Sequence, residues 1–196
     1  MRRPAHSQGR MTPQDLQHFK PSANTEWIRT DARWFQQLAE AGDLSPAERV
    51  HLARVAIQQQ WVCDVEDTAA KRSALEALGL RVVAVNLGHL IVSGSEVIGE
   101  YLPFRNDRLS TIEAGVFYGY PPSAVVAFTG ITASVPPQRS WLSAPTYFLG
   151  GAYSRDHSDR EWRFFANEWA ELSRHAPAVC DLAEAEFKSI QITTSA

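Results

Sequence analysis

The sequence predicts an α+β fold: a mostly helical single domain with a small antiparallel sheet, a hairpin near 81–102, packed against helices. Three observations carry that prediction. Apolar residues recur at helical spacing through the first eighty residues and again after Ser158. Two capping boxes, Ser45-Pro46-Ala47-Glu48 and Ser110-Thr111-Ile112-Glu113, mark helix starts. After Gly79 the composition switches to valine and isoleucine, broken by Asn86-Leu87-Gly88 and by Gly94, which reads as strands.

Taken in order, residues 1–11 are polar and aperiodic and are expected to be a disordered tail. Residues 12–190 form the single globular domain, and 191–196 a frayed tail. Thr12 before Pro13 opens a short helix that ends before Pro21. A longer helix is expected from about Glu26 to Ala41, with Trp27, Trp34 and Leu38 on one face and Gly42 as its stop. The Ser45 box opens the next, running through RVHLARVAIQQQWV. It is apolar almost all round except for an arc of His51, Arg54 and Gln58, which predicts a central position. Asp64–Asp67 supplies acids for the first turn of a further helix that stops at Gly79.

Arg81–Val85 and His89–Ser93 then form the hairpin, with Glu96–Leu102 as a candidate third strand. The Ser110 box gives a short helix to Tyr118. Gly119-Tyr120-Pro121-Pro122-Ser123 makes a tight corner into another helix, Ser123–Phe128, because a residue before proline is driven out of helical conformation. The AVVAF body of that helix has no basic or amide side chain to read bases, so it belongs in a core or an interface. Thr146–Leu149 is expected as a returning strand. Ser158–Arg174 and Pro177–Ile190 are the closing amphipathic helices.

The bulk numbers exclude several classes. The 196 residues are 44% hydrophobic and 21% charged, with net charge −3. That suffices for a core and offers no basic stripe for a nucleic acid, so no such partner is expected. No apolar run approaches the ~20 residues of a membrane span, and MRRPAHSQGR lacks the apolar stretch of a secretory signal. A soluble, cytoplasmic protein without a membrane partner is expected. Cys63 and Cys180 are read as buried thiols in helical contexts, their pairing left open. C-x-x-C, H-E-x-x-H, G-x-S-x-G and Walker patterns are missing, so no metal and no cofactor is assigned.

What chemistry the sequence offers lies on Ser158–Arg174. At about 100° per residue, Trp162, Phe165, Trp169 and Leu172 share a face, and Glu161 and Glu168 fall inside the same apolar arc. His157, Glu161, Glu168 and His175 would align along an unbroken helix. Ser158-Asp159-Arg160-Glu161, however, is itself a capping box, which would turn Glu161 back onto the first amide. His175 stands where Pro177 ends the helix. Glu168 remains. Burying an unpaired carboxylate is costly, so it should meet an arginine, a tyrosine hydroxyl or a ligand, with its pKa raised.

Glu168 and His89, the latter at a strand start beside a turn, are therefore the candidate catalytic residues. Tyr118, Tyr120, Tyr147, Tyr153 and Trp162 are the candidate ligand-binding residues, aromatic rings beside kinked or glycine-rich backbone. The expected function is binding of a small-molecule ligand, with cofactor-independent acid–base catalysis as the activity such a site would support. The alternative is a non-enzymatic interaction module or homo-oligomer built on the tryptophans and AVVAF.

Overall fold

The computed structural model describes residues 27–95, 111–136, 138, 142–151 and 153–194. The expected Thr12 helix, the Glu96–Leu102 strand and the Ser110 cap lie outside them. In chain order the elements are α1 (Ala32–Glu40), α2 (Pro46–Ala56), β1 (Val62–Glu66), α3 (Ala69–Ala77), β2 (Arg81–Asn86) and β3 (His89–Ser93). After these come α4 (Thr111–Phe117), α5 (Pro122–Phe128), β4 (Ser134–Val135), α6 (Ala144–Leu149), β5 (Tyr153–Ser154), α7 (Ser158–His175) and α8 (Pro177–Thr194). The fold is α+β: a small antiparallel sheet and a two-stranded ribbon packed against helices.

Local rules place most boundaries. Ser45 caps α2 with the full box: its hydroxyl accepts from the Glu48 amide at 3.2 Å, and the Glu48 carboxylate accepts from the Ser45 amide at 2.8 Å. The β2–β3 hairpin turns through Leu87 and Gly88, both at positive φ (48° and 81°), the two-residue geometry that matches strand twist. Gly119, at φ 73°, stops α4, and Pro122 opens α5. Ala124, Val125 and Ala127 of α5 are buried, while Phe128 is exposed.

Three segments differ from expectation. The helix expected from Glu26 begins at Ala32, because Asp31 accepts from the Trp34 amide at 2.9 Å and caps it there. Trp27 instead pairs antiparallel with Ser95, so the two tryptophans separate: Trp34 donates its indole N–H to the Leu78 carbonyl at 2.8 Å, and Trp27 packs on Trp61.

The central strand pairing is the second difference. Where the acids after Cys63 suggested a helix start, the chain forms β1, with Val62, Cys63 and Val65 buried and Asp64 and Glu66 exposed. It is a strand because β3 offers it a ladder: Val62 pairs Ser93 and Glu66 pairs His89. The sheet order is β1-β3-β2, so β3 is central. Helix α3 starts later, where Thr68 accepts from the Lys71 amide. The acids are each engaged: Glu66 with Lys71 at 2.8 Å, Asp67 with Arg72 through two 2.7 Å bonds, and Asp64 with the Tyr118 hydroxyl. Cys63 thus lies on a strand, not a helix; both it and Cys180 are buried free thiols.

Third, Thr146–Leu149 belongs to helix α6, opened by Pro145 in its first turn. Its turns close by backbone bonds four apart, Tyr147 to the Ser143 carbonyl and Gly150 to that of Thr146, although Ala144, Thr146 and Phe148 are buried at the alternate spacing that suggested a strand. The short β5 that follows it does not return to the main sheet but pairs antiparallel with β4 in a separate ribbon.

The core runs from α1, α2 and the sheet to the later helices. Helix α8 packs on α1, α2, α6 and α7, burying Leu38, Val50, Leu52, Leu149, Leu172, Val179 and Ala183 completely. It extends to Thr194, past the expected end at Ile190. Helix α7 buries Phe165, Trp169 and Leu172 as its apolar stripe. No helix among the described residues is long and apolar enough to cross a membrane.

Candidate functional site

Three pieces of chain meet beside α7 to leave a cleft of about 970 Å³. One wall is the irregular link between α2 and β1, with Gln58, Gln59 and Trp61. A second is the corner between α4 and α5, Gly119 to Ser123. The third is β5 with the adjoining face of α7. The link turns sharply because Gln58 sits at positive φ, and the Gln59 amide donates back to the Arg54 carbonyl at 2.9 Å. The corner presses directly on it: a Cβ at Gly119 would come within 2.3 Å of the Gln59 carbonyl oxygen.

Helix α7 contributes a stripe to the cleft, Arg160, Glu161, Phe164 and Glu168, preceded by His157. These positions are three, four or seven apart and so share a helix face. The alignment of His157, Glu161 and Glu168 seen in the sequence is therefore real, and His175 stands apart from it, paired with Glu171 at 3.0 Å. The capping-box reading of Glu161 is corrected. Helix α7 begins at Ser158 with His157 as N-cap and no side-chain cap bond. Glu161, 1% exposed, accepts instead from the Ser154 amide and the Ser154 hydroxyl, both at 2.7 Å. The Ser154 hydroxyl in turn accepts from the His157 amide at 3.1 Å. Glu161 thus ties β5 to the helix.

Glu168 has an arginine beneath it. The Arg54 side chain is 1% exposed, and its Nη2 lies 3.6 Å from Glu168 Oε2. That is ion-pair distance but not a hydrogen bond. Arg54 Nη1 donates to Gln60 Oε1 at 2.7 Å, and the Gln60 amide nitrogen donates to the His51 carbonyl at 3.0 Å. Among the described residues, Arg54 Nε and Nη2, Glu168 Oε2 and Gln59 Oε1 are buried without a hydrogen-bond partner. Buried polar atoms are normally satisfied; two of these belong to Gln59 and Glu168, which line the cleft, and two to Arg54, which does not. Gln59 is held in place by its Nε2, which donates to the Glu168 carbonyl at 2.8 Å.

Electrostatics follow from that burial. Burial raises the Glu168 carboxyl above the ordinary carboxylate range, with the Arg54 charge pulling it back in part. Burial likewise raises the Tyr120 phenol, opposed by Arg54. The Arg54 guanidinium is disfavoured by its own burial and favoured by Glu168 and Tyr120; it stays a cation, as arginine does in proteins. His51, on the same buried chain of contacts, is lowered to about 4, by burial first and then by Arg54.

The candidate residues read from the sequence separate into two groups. Glu168 and Tyr120 line the cleft together. Tyr118 lies with Tyr120 around a neighbouring apolar hollow of about 210 Å³, its hydroxyl donating to Asp64 at 2.5 Å. Burial and Asp64 raise its phenol, so it stays protonated. The others do not line the cleft. His89 is exposed at the start of β3, opposite Glu66 and Asn86. Tyr147 is exposed and packs on Phe148 and Phe187. Tyr153 is fully buried against Phe165. Trp162 is half-buried against the core.

Sequence reasoning missed Arg54, Gln59 and the engaged state of Glu161. A signal for Arg54 existed: a charged residue in the middle of a helix that is otherwise apolar must be paired. Comparison with protein-family models, with curated proteins and with solved structures finds no match to this chain.

Proposed function

We propose that this soluble, cytoplasmic protein binds a small organic ligand in the Glu168 cleft and that Glu168 exchanges a proton with it. The observation that carries this reading is the pair Glu168–Arg54. A carboxylate on the cleft wall keeps Oε2 unbonded, 3.6 Å from a cation that is itself too deep for solvent to reach. Leaving a buried donor and acceptor short of a close hydrogen bond is costly. A site that waits for a ligand has reason to leave them open.

The chemistry is acid–base. A carboxyl whose pKa is raised by burial moves toward the working range of a general acid or base. Tyr120, also raised, is a proton-bearing donor beside it. No metal or cofactor enters this reading. The test is a thermal-shift screen of wild type and Glu168→Gln against a panel of small amines, acids, alcohols and sugars. The reading expects at least one compound to raise Tm for wild type and not for the variant. A panel that shifts neither protein refutes it.

A second reading has an observation of its own. Val85 and Leu87, at the tip of the hairpin, are 53% and 94% exposed, and among the described residues β2 is an edge strand. Exposed apolar edges favour pairing with another chain. Under this reading the protein sediments as a dimer, and Val85→Lys returns it to monomer.

A further inference from the structure

We propose that the ligand of the Glu168 cleft is an organic cation: an amine or amidine carried on a small apolar body. This rests on the reading of the cleft as a ligand site and goes on to name the ligand class.

The hydrogen-bonding inventory points that way. The two orphans on side chains that line the cleft, Gln59 Oε1 and Glu168 Oε2, are both acceptors. Gln59 cannot turn its amide round to offer a donor, because its Nε2 is committed to the Glu168 carbonyl. Each of these acceptors asks for an N–H or O–H donor. The orphan donors belong to Arg54, which does not line the cleft and is 1% exposed.

Charge and aromatic surface agree. The acids lining the cleft are Asp156, Glu161 and Glu168, against Arg160 and a histidine, His157. Trp61, Tyr120 and Phe164 line the same space, and aromatic faces attract cations and do not attract carboxylates. The apolar body also has a place. Tyr120 borders both the cleft and the hollow of about 210 Å³, whose other walls are Ala114, Gly115, Ala124, Val125 and Phe128 together with Tyr118 and Gly151. An apolar cavity of ~150 Å³ suffices for benzene, so a single ring fits.

The experiment is calorimetric titration at pH 7 with three probes of one shape: benzamidine, benzyl alcohol and benzoate. Benzamidine is expected to bind at least about tenfold more tightly than the other two, as charge-assisted hydrogen bonds predict. Glu168→Gln is expected to remove that advantage. Asp156→Asn, a change at an exposed rim residue that leaves folding intact, is expected to weaken benzamidine alone, and less so at high salt. Benzoate or benzyl alcohol binding as well as benzamidine would overturn the proposal. So would benzamidine affinity unchanged in both variants. If benzamidine fails while an acid or sugar from the thermal-shift panel binds, the ligand class is wrong and the cleft remains a ligand site. If nothing in the panel binds, both readings fall.

Discussion

Replacing Gly119 by alanine should destabilise this protein far more than the same change at Gly79, although both glycines end helices at positive φ. Gly119 has φ 73° and Gly79 has φ 68°, so each substitution forces alanine into the left-handed region at a cost of about 1 kcal/mol. At Gly79 no atom of the described residues lies within 4 Å of the new methyl, and that cost is the expected effect. At Gly119 the methyl would stand 2.3 Å from the Gln59 carbonyl oxygen, 3.0 Å from Gln60 Cβ and 3.2 Å from Arg54 Nη2. The first of these is backbone and cannot swing away. Overpacking of this kind adds about 1–3 kcal/mol, giving about 2–4 kcal/mol in all. For a chain of this length that is a fall of roughly 5–15 °C in Tm. Urea denaturation of the two variants beside wild type measures the difference. Equal losses at the two positions would show that the corner does not press on the α2–β1 link, and the description of the cleft's walls would fail with it.

Two further outcomes follow from the buried polar chain. His51 is neutral in the fold, lowered from 6.5 to about 4, so the unfolded chain takes up a proton there first. Its contribution is intact above pH 6.5 and is lost as pH falls to about 4; at ~1.4 kcal/mol per pH unit it amounts to at most about 3 kcal/mol. Unfolding free energies from pH 7.5 to 4 should show this loss, and His51→Gln should flatten that window; an unchanged slope in the variant refutes the assignment. Ser154→Ala removes the hydroxyl that Glu161 and the His157 amide share, leaving a buried carboxylate oxygen short of a donor. A loss of about 1–3 kcal/mol is expected in the same urea assay, and less than 0.5 kcal/mol would mean that Glu161 is not held as described.

Much of the fold could be read in advance because local signals agreed with the packing. Ser45 and Glu48 wrote the start of α2, Leu87 and Gly88 the hairpin, and the Gly119–Pro122 corner the break between α4 and α5. Strand β1 escaped because Asp64, Glu66 and Asp67 are as suitable for a helix's first turn as for the wet face of an edge strand. Only β3, later in the chain, decides between them. Glu161 escaped for a related reason. A Ser-x-x-Glu pattern satisfies a cap locally, yet Ser154 offers two donors to the same carboxylate and wins. Glu168 was legible as a contradiction, a charge on an apolar stripe, and so was the need for a partner. That the partner is Arg54, more than a hundred residues earlier, depends on how α2 and α7 face each other. No local pattern encodes that. For the same reason the tyrosines could be nominated but not sorted: Tyr120 faces the cleft, while Tyr147 and Tyr153 serve the surface and the core.

The central claim is that Glu168 is a buried, under-bonded carboxyl that meets a ligand's cation, and its own titration tests this most directly. Carboxyl carbon NMR of selectively labelled protein, with Glu168→Gln to assign the signal, gives the midpoint with and without benzamidine. The account predicts a midpoint above the ordinary 4.5 in the unliganded protein, falling when the amidine binds and stabilises the carboxylate. A midpoint at or below 4.5 that benzamidine leaves unmoved would contradict it.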